Sequence, residues 1–346
     1  MLSRKSGSLF LSIFAPILIH GVVGLSGSLA QGASTPRSCG DLFFPVVDLE
    51  PILKNAVLEI DGRSTYFESI PAKKGQPTAL LFMGLFTPMS DLLAFQREWV
   101  RQSRGEGLTI FTYSTQVESL IWRLSSQQLK FVNPHIEIVD LVREATAVAN
   151  AAAITGPVTV IGYSYGSIVA SRFAEFHKDR VANLIFAAPF VEAGEHHPQV
   201  LSAKSALETW ATLNPFFGGG IMLENAREHA AQSMAKQIVD DYMKTQKFPD
   251  GIEREDVIAL LKSQIRAVEA VNLVEEMKPG LPKTTLIVAG KENTTRRHLQ
   301  DLVAKTAEAA GLGGHVVKLE SATHPVLADK PREAVEAVLA VIRAKP

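Results

Sequence analysis

The chain has 346 residues, 46% hydrophobic and 21% charged, with 35 basic against 36 acidic side chains and a formal net charge of -1. That balance leaves no basic footprint for nucleic acid, and high apolar content with near-zero charge is the reverse of what disorder requires. One cysteine excludes a disulfide framework and any Cys-rich metal centre, so what remains is a globular protein of one large or two modest domains.

The first segment has the three-part layout of a secretory signal peptide. Arg4 and Lys5 precede the apolar run Leu9 to Leu25, small residues follow from Ser26 to Ser34, and no Lys, Arg, Asp or Glu occurs between Lys5 and Arg37. Ser28-Leu29-Ala30 fits a small-x-small cleavage site, with Gln31-Gly32-Ala33 as a second candidate. Pro16 and His20 interrupt the run, which is short for a span of about 20 residues. The expectation is export to the periplasm or medium with no stable membrane span after cleavage. The alternative is an uncleaved anchor.

Beyond residue 40 strands and helices alternate. Residues 56–62 and 64–72 are rich in strand formers and flank Gly62-Arg63, which predicts a hairpin. A buried strand is expected at 77–84, a helix at 90–107, a strand at 108–114 and an amphipathic helix at 136–153. Strand 157–162, helix 167–180 and strand 181–189 come next. Residues 191–278 then read as helix, turn and helix, punctuated by Gly218-Gly219-Gly220 and Pro249-Asp250-Gly251. Alternation resumes with strand 283–290, helix 296–311, strand 315–321 and helix 331–344. Near-continuously apolar strands alternating with helices predict an α/β protein, with a mostly parallel sheet covered on both faces. The expected divisions are a leader at 1–30, an N-terminal extension at 31–55, a core at 56–190 and 279–346, and a helical insertion at 191–278. So long an insertion makes sense as a lid or subdomain.

The most specific motif is Gly162-Tyr163-Ser164-Tyr165-Gly166. It fits G-x-S-x-G with a strand before and a helix after, the setting in which a serine is aimed out of a sharp turn. The hydroxyl then lies at a helix N-terminus, where backbone N–H groups stabilise developing negative charge, and the Tyr165 amide is a natural donor. A serine needs a base. Among the histidines His324 stands in the loop between the last strand and the last helix, whereas His315 opens a strand, His177 is expected to face solvent, and His229 lies on a solvated helix face of the insertion. His196 and His197 begin the insertion, where a substrate entrance is expected.

On these residues, on the strand ending at Gly290 and on His324 followed by Pro331-Arg332-Glu333, the chain resembles the α/β-hydrolase fold enzymes with a helical cap between the sixth and seventh strands. The resemblance runs from about Ala56 to Ala344. It implies acyl-ester hydrolysis of a small-molecule substrate without cofactor or metal, with Ser164 as nucleophile and His324 as general base. Two departures stand out. The family's His-Gly after the third strand is here Met83-Gly84, which leaves the Leu85 amide as a candidate second oxyanion donor. The family's Gly-x-x-Asp after the seventh strand is here Gly290-Lys291-Glu292-Asn293. Glu292 is the favoured triad acid, Asn293 in an orienting role is the next choice and Glu192 a third, while Asp329 reads as a helix-start residue. The departures support a second reading, a scaffold that kept the fold and lost the chemistry; a third, an acyltransferase using the same nucleophile, is one that the sequence does not separate from hydrolysis.

Overall fold

A computed structural model describes residues 49, 52–85, 87, 89–113, 136–192, 219–244, 247–248, 252–269, 271–292, 294–295 and 297–344. The leader, Asn293, His196, His197 and the apolar insertion residues Trp210, Leu213, Phe216 and Phe217 lie outside the described residues.

Eight strands form one sheet: β1 Lys54–Ile60, β2 Arg63–Ile70, β3 Thr78–Phe82, β4 Gly107–Thr112, β5 Val158–Tyr163, β6 Val181–Ala187, β7 Lys283–Ala289 and β8 Gly313–Leu319. Their spatial order is β1-β2-β4-β3-β5-β6-β7-β8. The β1–β2 and β2–β4 pairs are antiparallel, and every pair from β4 through β3 to β8 is parallel. The central strands β4 and β5 are buried at every position, which is why their sequences run apolar without alternation. The hairpin expected at Gly62-Arg63 is present, with β1 starting at Lys54 rather than Ala56 and Asp61 and Gly62 both at positive φ in the turn.

Helices cover the sheet: α1 Leu93–Gln102, α2 Ile138–Ala151, α3 Gly166–Phe176, α7 Arg297–Ala309 and α9 Pro331–Arg343. Between β6 and β7 the described residues contribute α4 Gly219–Met243, α5 Arg254–Val268 and α6 Leu273–Glu276, and no strand. A short helix α8, Val326–Asp329, precedes α9, and a 3-10 turn, Met89–Leu92, precedes α1; neither is evident in the sequence as a separate element. Under the sheet centre, the fully buried Phe82 ring meets Phe111 at 5.0 Å and Phe173 at 5.3 Å, both edge-on. Burying each such ring stabilises by about 1.5–3 kcal/mol.

The parallel registers bring the carboxyl ends of the central strands level. Phe82 pairs with Gly162, Gly162 with Phe186, Ala187 with Ile287, and Ala289 with Leu319. In a parallel α/β sheet functional groups gather in the crevice beyond these ends. Met83, Ser164, Glu292 and His324 all leave the sheet there.

Candidate active site

The turn after β5 is built around a strained serine. Ser164 has φ 50°, a left-handed conformation that costs an L-residue about 1–2 kcal/mol. Surrounding hydrogen bonds hold it there. Its N–H donates to Ala187 O at 3.0 Å, and its carbonyl accepts from Ser167 N at 2.9 Å and Phe190 N at 3.2 Å. The flanking glycines are required by contact. A Cβ at Gly162 would lie 2.5 Å from Ser167 Cα, and one at Gly166 would lie 2.6 Å from Met83 O and closer still to Phe82 O. Small residues therefore let α3 sit directly against the end of β3. The Ser167 hydroxyl closes the turn by donating to Gly162 O at 2.9 Å.

His324 reaches this serine from the loop between β8 and α8. Its Nε2 stands 2.8 Å from Ser164 Oγ, and its Nδ1 stands 3.0 Å from Glu292 Oε1. The imidazole is buried, with the Tyr163 ring 6.0 Å away at 35°. The loop is clamped by Asp329, which accepts from Thr323 N at 2.8 Å and Thr323 Oγ1 at 2.5 Å. Asp329 is thus the last residue of α8 rather than a helix start, and it holds the segment that carries His324.

Glu292 follows β7 in a loop tied to the other side of the site. Gly290 N donates to Leu319 O and Lys291 N to Ala322 O, both at 2.8 Å. The Glu292 carboxylate is almost inaccessible, at 3% side-chain exposure. Its Oε1 also accepts from Thr294 N at 2.9 Å and Thr295 N at 3.1 Å. Burial alone would raise this carboxyl. The hydrogen bond and charge of His324, with the two threonine amides, outweigh it and hold the group down at about 2. The carboxylate is therefore ionised through the neutral range, and hydrogen-bonded to Nδ1 it selects the tautomer whose bare Nε2 faces a hydroxyl.

Of the residues singled out in the sequence, Ser164, His324 and Glu292 are brought into one hydrogen-bonded line. Glu192 is not part of it: its carboxylate accepts from Asn272 Nδ2 at 2.9 Å. His177 departs from the solvent-facing position expected. It is half-buried at the end of α3, its Nε2 2.9 Å from Thr146 Oγ1 and its ring 4.5 Å from Phe173. His229 is exposed on α4, as expected of a solvated face. Tyr165 caps the N-terminus of α3 and is buried, and its hydroxyl donates to Gln264 O on α5 at 2.9 Å. Leu85 is half-buried in the turn after β3, beside Gly84, where a Cβ would lie 3.0 Å from the Tyr163 ring. Thr294, Thr295, Asp329 and Gln300 are contributors that sequence reasoning missed in this role. Only Thr294 and Thr295 lie close enough in sequence to suggest a turn folding back on Glu292.

Among the described residues no group of three or more His, Cys, Asp or Glu side chains could hold a metal ion, and no helix is long and apolar enough to cross a membrane.

Known proteins share this fold. Solved structures that superpose include a hydrolase from Pseudomonas aeruginosa (TM-score 0.54, 17% identity, covering 84% of this chain and 98% of the other). An esterase from Exiguobacterium antarcticum superposes with TM-score 0.55 at 12% identity, over 84% of this chain and 99% of its own. A carboxylesterase from Bacillus subtilis does so with TM-score 0.51 at 14% identity, over 85% and 93%. At these identities the likeness is one of fold. No curated protein matches in sequence. The family model described as the alpha/beta hydrolase family matches residues 122–338, a stretch that contains Ser164, Glu292 and His324, and the chain belongs to that family.

Proposed function

We propose that the protein is a serine hydrolase that cleaves an ester or related acyl bond of a small-molecule substrate. The observation that carries this reading is the line Ser164 Oγ–His324 Nε2–His324 Nδ1–Glu292 Oε1, with separations of 2.8 and 3.0 Å. Ser164 Oγ attacks the acyl carbon while His324 Nε2 takes the hydroxyl proton. The carbonyl oxygen becomes an oxyanion, and in this reading the Tyr165 and Leu85 amides donate to it. The tetrahedral species collapses, the leaving group departs with the proton from His324, and the acyl group stays on Ser164. Water then attacks the acyl-enzyme, giving its proton to His324, and collapse frees the acid and restores the serine. Throughout, Glu292 remains ionised and stabilises the imidazolium.

Met83 in place of histidine leaves this scheme intact, because the donor at that turn is a backbone amide. Asn293 carries less weight for a scaffold reading, because a carboxylate from the neighbouring position already meets His324. The helices between β6 and β7 serve as a cap over the acyl pocket, a role supported by the hydrogen bond from Tyr165, next to the nucleophile, to Gln264 on α5. The leader-like segment ahead of Arg37 supports export of the mature enzyme.

The test is covalent labelling with a fluorophosphonate and turnover of p-nitrophenyl esters of graded chain length. The intact protein should label at Ser164 and release p-nitrophenol, and Ser164→Ala should abolish both. Turnover undiminished in Ser164→Ala, or a folded protein that neither labels nor turns over, defeats the proposal.

A further inference from the structure

The Glu292 carboxylate is met by a side chain that belongs to no motif. Gln300, in the first turns of α7, is completely buried. Its Nε2 lies 2.5 Å from Thr295 Oγ1, 3.3 Å from Glu292 Oε2 and 3.4 Å from Pro189 O. A carboxamide nitrogen has two protons. The short contact with Thr295 uses one, and the other is shared between Glu292 and Pro189. Glu292 Oε2 and Pro189 O can only accept, which fixes the orientation of the amide, and the Thr295 hydroxyl then accepts from it.

These partners span the site. Thr295 donates its own N–H to Glu292 Oε1, so Gln300 and Thr295 grip both carboxylate oxygens from one short stretch of chain. Pro189 lies between Ala187, whose carbonyl accepts Ser164 N, and Phe190, whose N–H donates to Ser164 O. Gln300 therefore links the loop carrying the acid to the loop gripping the nucleophile. The need for such a link is physical. The terminal torsion of a glutamate is broad and poorly restrained, so a glutamate in this role needs a second anchor to keep Oε1 on the histidine.

We propose that Gln300 is a positioning residue for the catalytic acid: by holding Glu292 Oε2, Thr295 and Pro189 together it fixes the plane of the carboxylate, and through it the His324 ring, relative to Ser164. The inference rests on the serine-hydrolase reading of the site. It differs from an ordinary packing role in what it predicts for kinetics.

The experiment compares Gln300→Met, which keeps the volume and removes the donors, with Gln300→Glu, which sets a second carboxylate against Glu292. For Gln300→Met the expected result is a kcat at least about tenfold lower on p-nitrophenyl esters, with KM within about twofold of the parent and a single cooperative melt. In Gln300→Glu the new carboxylate stands against Glu292, and where both are ionised it adds negative charge beside His324. The acid limb of the kcat profile should therefore move to higher pH, a shift that lost packing alone does not produce. Folded Gln300→Met with kcat within twofold of the parent overturns the proposal, as does an unmoved acid limb in Gln300→Glu. Thr295→Val decides the matter if both variants fail to fold. It removes the hydroxyl anchoring Gln300 and should lower kcat several-fold at constant KM, and an unchanged kcat overturns the proposal. Ser164→Ala run alongside separates the two failures. If it is inactive and Gln300→Met is unaffected, only this inference falls; if it remains active, the serine-hydrolase reading falls first.

Discussion

Glu292 makes acid stability a direct readout of the site. Its carboxyl is held at about 2, against an ordinary 4.5. A group whose folded value is depressed contributes stability that is fully present above the unfolded value and is lost as pH falls through the folded one. The window here runs from about pH 5 down to about pH 2. The full contribution is about 3 kcal/mol, from about 1.4 kcal/mol for each unit of depression. The side chain is only 3% exposed, so solvent screening takes little from this figure. Glu292→Gln removes the charge and keeps an oxygen able to accept from Thr294 and Thr295. Other carboxylates titrate over the same range, but they do so in both proteins and drop out of the difference. Urea unfolding at pH 6, 4.5 and 3 should show Glu292→Gln less stable than the parent by about 3 kcal/mol at pH 6, with the gap closing steadily as pH falls. A gap that stays constant between pH 6 and pH 3, or that widens, would refute the reasoning, because it would mean that the carboxylate is not held down by its partners.

Gly166→Ala should cost about 3 kcal/mol of stability and most of the fluorophosphonate labelling, since its Cβ meets the Phe82 and Met83 carbonyls, which belong to backbone and cannot swing aside. Thermal melting with labelling checks this, and an unaltered melt would mean that the elbow is looser than its contacts indicate. Gln264 is fully buried on α5, and neither its Nε2 nor its Oε1 has a partner among the described residues. Gln264→Met should therefore leave stability unchanged or raise it by about 1 kcal/mol, measured by denaturant midpoint; a loss beyond 1 kcal/mol would show the amide to be satisfied in solution. Glu292→Asp keeps the charge but shortens the reach by one bond of about 1.5 Å. It should lower kcat by about 10²-fold at unchanged KM, and steady-state kinetics at parental levels would remove Glu292 from its assigned place.

The fold is legible in the sequence for a definite reason. Strands buried on both faces must be apolar throughout, so β3, β5 and β7 appear as short apolar runs between amphipathic helices. Four-residue elements carry no periodicity, which is why α8 and the 3-10 turn before α1 do not separate from their neighbours. The elbow is legible because its glycines answer local contacts within a few residues. His324 is marked by its place after the last strand. The acid is harder, because which carboxylate meets Nδ1 depends on how the loop after β7 turns, a matter of contacts with β8 and α7. Gln300 leaves no sequence trace at all. It is eight residues beyond Glu292, and the packing of α7 against the sheet brings it back. The half-buried place of His177 is hidden for the same kind of reason: its partner Thr146 comes from α2, thirty-one residues away.

That dependence on the loop also explains how, in the proposed mechanism, a glutamate serves one position ahead of the family's aspartate. The loop backbone has little freedom. A Cβ at Gly290 would strike the Glu320 backbone, and the neighbouring amides of Gly290 and Lys291 are bonded to Leu319 and Ala322. The chain is therefore pinned at the end of β8, close to the segment that carries His324. Beyond Glu292, Thr294 and Thr295 present their amides to its carboxylate, two local bonds that close a turn around it. In such a turn the carboxylate's place is set by the donors that surround it. The extra methylene of glutamate supplies the reach, and the cost of its extra torsion is met by donors on both oxygens, Thr294, Thr295 and His324 on one and Gln300 on the other. The site thus keeps the charge and the geometry that the proposed chemistry needs while departing from the motif, and the residues that hold the carboxylate are those that a motif does not contain.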